Sequence, residues 1–127
     1  MTTLEHAALW TNSIEELKDY YVRYFDGKAN DKYANPAKQF QSYFLTFSGG
    51  ARLEIMQRPG IPTNANDLLH RQHLGFIHLA FGVESRAEVD AKAAELRDAG
   101  FPILSGPRVT GDGYYEFETL DPDGNKL

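Results

Sequence analysis

One stretch of this chain occurs twice, and that repeat narrows the possible folds more than any other feature. Residues 4–13, LEHAALWTNS, can be laid over residues 76–85, FIHLAFGVES, without a gap. His6 then falls on His78, Ser13 on Ser85 and Glu16 on Glu88. Each stretch alternates its side chains as a strand does and runs into a helix start. Both helical runs end at a glycine, Gly27 in the first copy and Gly100 in the second. The chain therefore reads as two copies of one unit, with a histidine at the same place in each.

In the first copy, residues 4–11 predict a strand with Leu4, His6, Ala8 and Trp10 on one face. Ser13 is placed as a helix N-cap, and Glu16 completes a capping box. Ile14, Leu17, Tyr21, Tyr24 and Phe25 recur at helical spacing, and Gly27 is expected to close the helix in a left-handed conformation. The polar residues 28–39 hold a short edge strand or a loop. Strands follow at 40–47 (FQSYFLTF) and 51–57 (ARLEIMQ), joined by Ser48, Gly49 and Gly50. On the latter, Arg52, Glu54 and Met56 share a face. The first module, 1–57, thus reads β-α-β-β-β.

Residues 58–75 break the pattern with prolines, glycines and asparagines and form a linker, with one helical turn at 67–70. The second module, 76–127, starts over. Its helix at 85–99 buries Val89, Ala93 and Leu96. A short strand at 101–104, a glycine-rich loop, a strand at 114–120 and a DPDG turn at 121–124 follow. The fold class is α+β, two tandem β-α-β-β-β modules whose curled mixed sheet lines a cleft. Matching the turns sets Gly50 over Gly124, Arg52 over Lys126 and Leu53 over Leu127. The counterpart of Glu54 would then be position 128, and we expect the natural chain to continue there with a glutamate inside a completed strand.

The helix needs apolar neighbours on one side of each sheet, and Ile77, Leu79 and Phe81 supply them in the second copy. His78, and by the same parity His6 and Trp10, look to the other side, where Glu54 joins them. Two imidazoles and a carboxylate from separate strands make a first shell for a divalent metal. His70 and His73 in the linker have nothing converging on them. With a net charge of −5 the chain is a poor partner for nucleic acid or an anionic membrane. Cysteine is absent, so thiolate chemistry and disulfides are excluded. No signal-peptide pattern and no membrane-length apolar run is present, and a cytoplasmic location is the expectation.

The stretches EHAALWTNSIEELKDYYVRYFDG, ARLEIMQ, GFIHLAFGVES and above all GDGYYEFETLDPDGNKL resemble the vicinal oxygen chelate superfamily. That superfamily includes glyoxalase I, bleomycin and fosfomycin resistance proteins and extradiol dioxygenases. The resemblance covers nearly the whole chain and implies paired modules curling around a divalent metal, zinc or nickel first, with iron, manganese or cobalt as alternatives. It implies His6, Glu54 and His78 as ligands and a fourth at position 128. Glu116 and Glu118 match its pocket-lining face, Glu116 as fourth ligand or proton-moving base and Glu118 as a substrate contact. It also implies a homodimer acting on a small molecule. The reaction implied is a glyoxalase-type lyase or isomerase reaction on vicinal oxygens through an enediolate. The alternatives are a drug-sequestering protein without chemistry and an iron-dependent dioxygenase. Glutathione-using members carry arginine and asparagine where this chain has Trp10 and Arg58, so glutathione is not the expected co-substrate. Trp10 suits a flat or apolar ligand instead, or packs in the core at the module interface, and Arg58 is assigned with it to substrate binding.

Overall fold

Both helices form where the apolar spacing puts them, one in each half of the chain. The computed structural model describes residues 1–127, which divide into unit 1, Met1–Asn64, and unit 2, Ala65–Leu127. The fold class is α+β with a mixed sheet and few helices.

Unit 1 contains β1 (His6–Trp10), α1 (Ile14–Phe25), β2 (Lys28–Ala29), β3 (Tyr33–Asn35), β4 (Phe40–Thr46) and β5 (Arg52–Gln57). The sheet order is β1-β5-β4-β2, and β3 also pairs with β4. β5 runs parallel to β1 and antiparallel to β4. Its alternation explains its central place. Leu53 and Ile55 are buried, as are Tyr43 and Leu45 of β4 and Ile14, Leu17, Tyr20 and Tyr21 of α1, and α1 packs on β4 and β5. Each fully buried aliphatic side chain contributes about 1.5–3 kcal/mol. Arg52, Glu54, Met56, Phe40, Phe44, His6 and Trp10 alternate with these and leave the opposite face open.

Two local expectations are corrected in unit 1. Ser13 makes no side-chain capping bond. The end of β5 lies beside the helix start instead, so the amide of Ile14 donates to Gln57 Oε1 at 2.9 Å. Gln57 Nε2 donates in turn to the carbonyl of Asn12 at 3.2 Å. At the other end the left-handed residue is Asp26, φ 56°, not Gly27. Gly27 sits in a close space: a Cβ there would stand 3.2 Å from both the Phe47 ring and the Tyr21 carbonyl oxygen, so one of them would have to give by a few tenths of an ångström.

Unit 2 contains α2 (Arg86–Asp98), β6 (Ile103–Val109) and β7 (Tyr115–Thr119). Here the capping serine works. Ser85 Oγ accepts from the Glu88 amide at 3.2 Å, and Glu88 Oε2 accepts from the Glu84 amide at 2.7 Å. Ala93 and Leu96 are buried, and α2 packs on β6 and β7. β6 is longer than expected and its pairing with β7 shifts register at Ser105 and again before Arg108. Gly106, φ 83°, precedes a cis proline there. A Cβ on Gly106 would meet the Glu116 carbonyl oxygen at 2.5 Å, so the bulge needs glycine.

The repeat is visible in the pairing. His6 pairs with Arg52 in the parallel β1–β5 ladder, and His78 pairs in parallel with Lys126, the residue matched to Arg52. Lys126 also bridges Leu120 in antiparallel fashion, as β5 does with β4. The amide and carbonyl of Leu127 both bond those of Thr119 at 3.0 Å. The strand expected around His78 is reduced to this one bridge. The DPDG turn is held by Asp121, whose Oδ1 accepts from the amides of Asp123 and Asn125, both at 2.9 Å.

Candidate functional site

The open face of unit 1 is polar at one end and aromatic at the other, and the strand register explains why. At the polar end His6 opens β1 opposite Arg52, and Glu54 lies two residues further along β5. His6 Nε2 stands 3.7 Å from Glu54 Oε1, with the histidine side chain 39% and the glutamate 18% exposed. Two ligands on a tetrahedral ion with bonds near 2.1 Å are about 3.4 Å apart. This pair therefore fits adjacent positions around one divalent ion to within a few tenths of an ångström.

The other imidazole nitrogen is occupied. Nδ1 of His6 lies 3.1 Å from Glu5 Oε1. Glu5 is itself gripped by Arg52, whose Nε donates to both its carboxylate oxygens at 3.1 and 3.2 Å while Nη2 donates to Oε1. Arg52 in turn lies 4.2 Å from the centroid of the Phe44 ring, and the His6 ring meets Phe44 edge-on at 5.3 Å. The Arg52 hydrogen bonds hold the Glu5 carboxyl below its usual range, with a smaller contribution from His6. Glu5 in turn raises Arg52. A carboxylate on Nδ1 fixes the tautomer that leaves Nε2 free to ligate. Sequence reasoning gave no role to Glu5, Arg52 or Phe44. The signal was the register of β1 on β5, which alternation alone does not provide.

At the aromatic end, Trp10 meets Phe40 edge-on at 6.1 Å, and Phe40 meets Tyr33 at 6.0 Å. The Arg58 guanidinium lies over the Trp10 ring at 5.0 Å. Trp10 and Arg58 thus sit together on the face that carries His6 and Glu54.

In unit 2, His78 is exposed and Lys126 is 7% exposed. Ile77 stands where the first copy has Glu5, so Lys126 has no acid equivalent to the one that holds Arg52. Glu116 pairs opposite Arg108 and Glu118 opposite Ser105 on β7 and β6. By alternation from the Leu120–Lys126 bridge, Glu116 and Glu118 share the face of His78 and Lys126. Tyr115, Phe117 and Thr119 take the other face, and Thr119 is buried. Within neither unit are three histidine or carboxylate side chains grouped to hold a metal. Unit 1 brings together two of the expected ligands, His6 and Glu54, and the third, His78, belongs to unit 2. His70 is occupied by Asp67, its amide donating to Oδ1 at 2.9 Å, and that turn is helical as expected, with the Arg71 amide bonded to the Asp67 carbonyl. No helix is long and apolar enough to cross a membrane.

Residues 3–127 match the Glyoxalase/Bleomycin resistance protein/Dioxygenase superfamily. YqjT of Bacillus subtilis, itself uncharacterised, is 38% identical over 61 residues, 46% of this chain and 48% of that protein. The match thus spans about half the length of that curated relative. Among solved structures, a glyoxalase family protein from Enterococcus faecalis is 27% identical, with 97% and 92% of the two chains covered and a TM-score of 0.73. The trypanothione-dependent glyoxalase I of Leishmania major is 20% identical, with 99% and 84% covered and a TM-score of 0.74. The structure named SMU.1112c is 24% identical, covers 100% and 96%, and has a TM-score of 0.80.

Proposed function

The chain belongs to the Glyoxalase/Bleomycin resistance protein/Dioxygenase superfamily, and from that premise we propose a metal-dependent lyase or isomerase of glyoxalase type. Its substrate is a small molecule with vicinal oxygens, and glutathione is not its carrier. The observation that carries this reading is the 3.7 Å approach of His6 Nε2 to Glu54 Oε1 across parallel strands, with Nδ1 of the same ring held by Glu5. A drug-sequestering cleft has no need of an imidazole whose second nitrogen is anchored by a carboxylate that is itself clamped by arginine.

His6, Glu54 and His78 are the proposed ligands, each supplying one nitrogen or oxygen. A divalent ion bound to them would act as a Lewis acid on the vicinal oxygens and ease loss of a proton from the adjoining carbon. Glu116 is assigned the proton, taking it from one carbon and returning it to its neighbour, so that the reaction is redox-neutral. Glu118, on the same strand face, is assigned to substrate contact. Trp10 and Arg58 occupy the places that hold glutathione in the glutathione-using enzymes, which supports a different carrier.

The test is a screen of dicarbonyl and hydroxycarbonyl compounds, free and as adducts of several thiols, with protein reloaded with zinc, nickel, manganese or iron. The expected result is metal-dependent turnover of a substrate without glutathione. The methylglyoxal–glutathione adduct should be turned over with kcat/KM well below about 10⁴ M⁻¹s⁻¹, the lower end for ordinary enzymes. Turnover of that adduct at ordinary rates overturns the carrier assignment. Ligand binding without turnover under any metal overturns the enzymatic one.

A further inference from the structure

The aromatic end of the unit 1 face carries more exposed ring surface than folding requires. Trp10 is 38% and Tyr33 54% exposed, although both lie beside Phe40. The cation set among these rings is equally unused. Arg52 at the far end of the face is neutralised by Glu5, whereas Arg58 lies over the Trp10 ring and makes no ion pair with a carboxylate. An exposed arginine seated on a tryptophan, without an acid, is a counter-charge in search of an anion.

Distance sets the size of the ligand. Trp10 lies four steps along β1 from His6, which at about 3.3 Å per step is roughly 13 Å. Taking the metal reading above as its basis, we propose that this strip recognises an elongated aromatic carboxylate. The ring lies among Trp10, Phe40 and Tyr33, the carboxylate meets Arg58, and the vicinal oxygens reach His6 and Glu54 at the other end. A neutral ligand leaves the guanidinium unmatched, and a short acid cannot contact both ends at once.

The experiment uses the full chain after exhaustive dialysis against a chelator, so that its outcome does not depend on the metal assignment. Biphenyl-4-carboxylate, neutral biphenyl-4-methanol and cyclohexanecarboxylate are titrated by calorimetry. Emission of Trp10, the only tryptophan in the chain, is followed in parallel. The expected order is biphenyl-4-carboxylate at least fivefold tighter than biphenyl-4-methanol, with cyclohexanecarboxylate weakest. Added salt should weaken only the acids. In Arg58→Gln the preference for the carboxylate should vanish, in Arg58→Lys it should persist in part, and in Trp10→Leu both biphenyls should weaken. Equal affinity for the charged and neutral biphenyls, or a preference that survives Arg58→Gln, overturns the proposal. Because the protein is metal-free throughout, loss of the charge preference would count against this strip alone, while metal content of the reloaded protein tests the metal reading separately.

Discussion

Replacing the three polar side chains at the two helix starts should give three different results, although two of them are capping serines in the sequence. Ser85 Oγ accepts the Glu88 amide, so Ser85→Ala should cost about 1 kcal/mol, the usual loss for an N-cap. Ser13 makes no capping bond with its side chain, and Ser13→Ala should stay within about 0.5 kcal/mol of the parent. Gln57 performs the function at α1. Its loss leaves the Ile14 amide without an acceptor at a buried residue, and Gln57→Ala should cost about 1–3 kcal/mol. Gln57→Glu keeps the acceptor and adds a negative charge at a helix N-terminus, so it should recover most of that loss. Urea unfolding read by Trp10 emission reports on unit 1, which holds Trp10, and circular dichroism at 222 nm reports on both helices. At slopes of roughly 1–3 kcal/mol per molar, Gln57→Ala should lower the unit 1 midpoint by about half a molar or more. A Ser13→Ala loss equal to that of Ser85→Ala, or a silent Gln57→Ala, would refute the assignment of the cap.

Leu17 is fully buried under the sheet, and Leu17→Ala should cost about 2–5 kcal/mol by chemical denaturation. Glu15 accepts from Lys32 and from the Tyr43 hydroxyl, and those bonds, Lys32 first, hold its carboxyl below the usual range. Its contribution is therefore complete above the unfolded glutamate value and is lost as pH falls through the lower folded value. The stability gap between the parent and Glu15→Gln should be present at pH 7 and shrink as the pH falls below the ordinary glutamate range, measured by thermal melts on acidification. A gap that widens on acidification would contradict the sign.

Much of this arrangement was legible in the sequence because alternation and repetition are local signals. The match of Arg52 to Lys126 came from aligning two turns, and both residues do pair with their module's histidine. The apolar stripe of α1 likewise follows from spacing alone. What was not legible depends on chains meeting from far apart. Gln57 reaches Ile14 across 43 positions, and no capping rule looks that far. Asp26 takes the left-handed turn expected of Gly27, while Gly27 lies close against the Phe47 ring and the Tyr21 carbonyl, two neighbours that local sequence does not show. Glu5 reached the site unpredicted because it precedes the first residue of β1, where the pleat no longer dictates a face, and because Arg52 pulls it there.

The central proposal is that His6, Glu54 and His78 are metal ligands, and metal content measures it most directly. Protein purified without a metal-affinity tag, refed with zinc or nickel and freed of excess ion, should carry about one ion per chain by elemental analysis. His6→Ala, Glu54→Ala and His78→Ala should each lose it while keeping the circular dichroism of the parent. Equal metal content in the parent and all three variants would contradict the account.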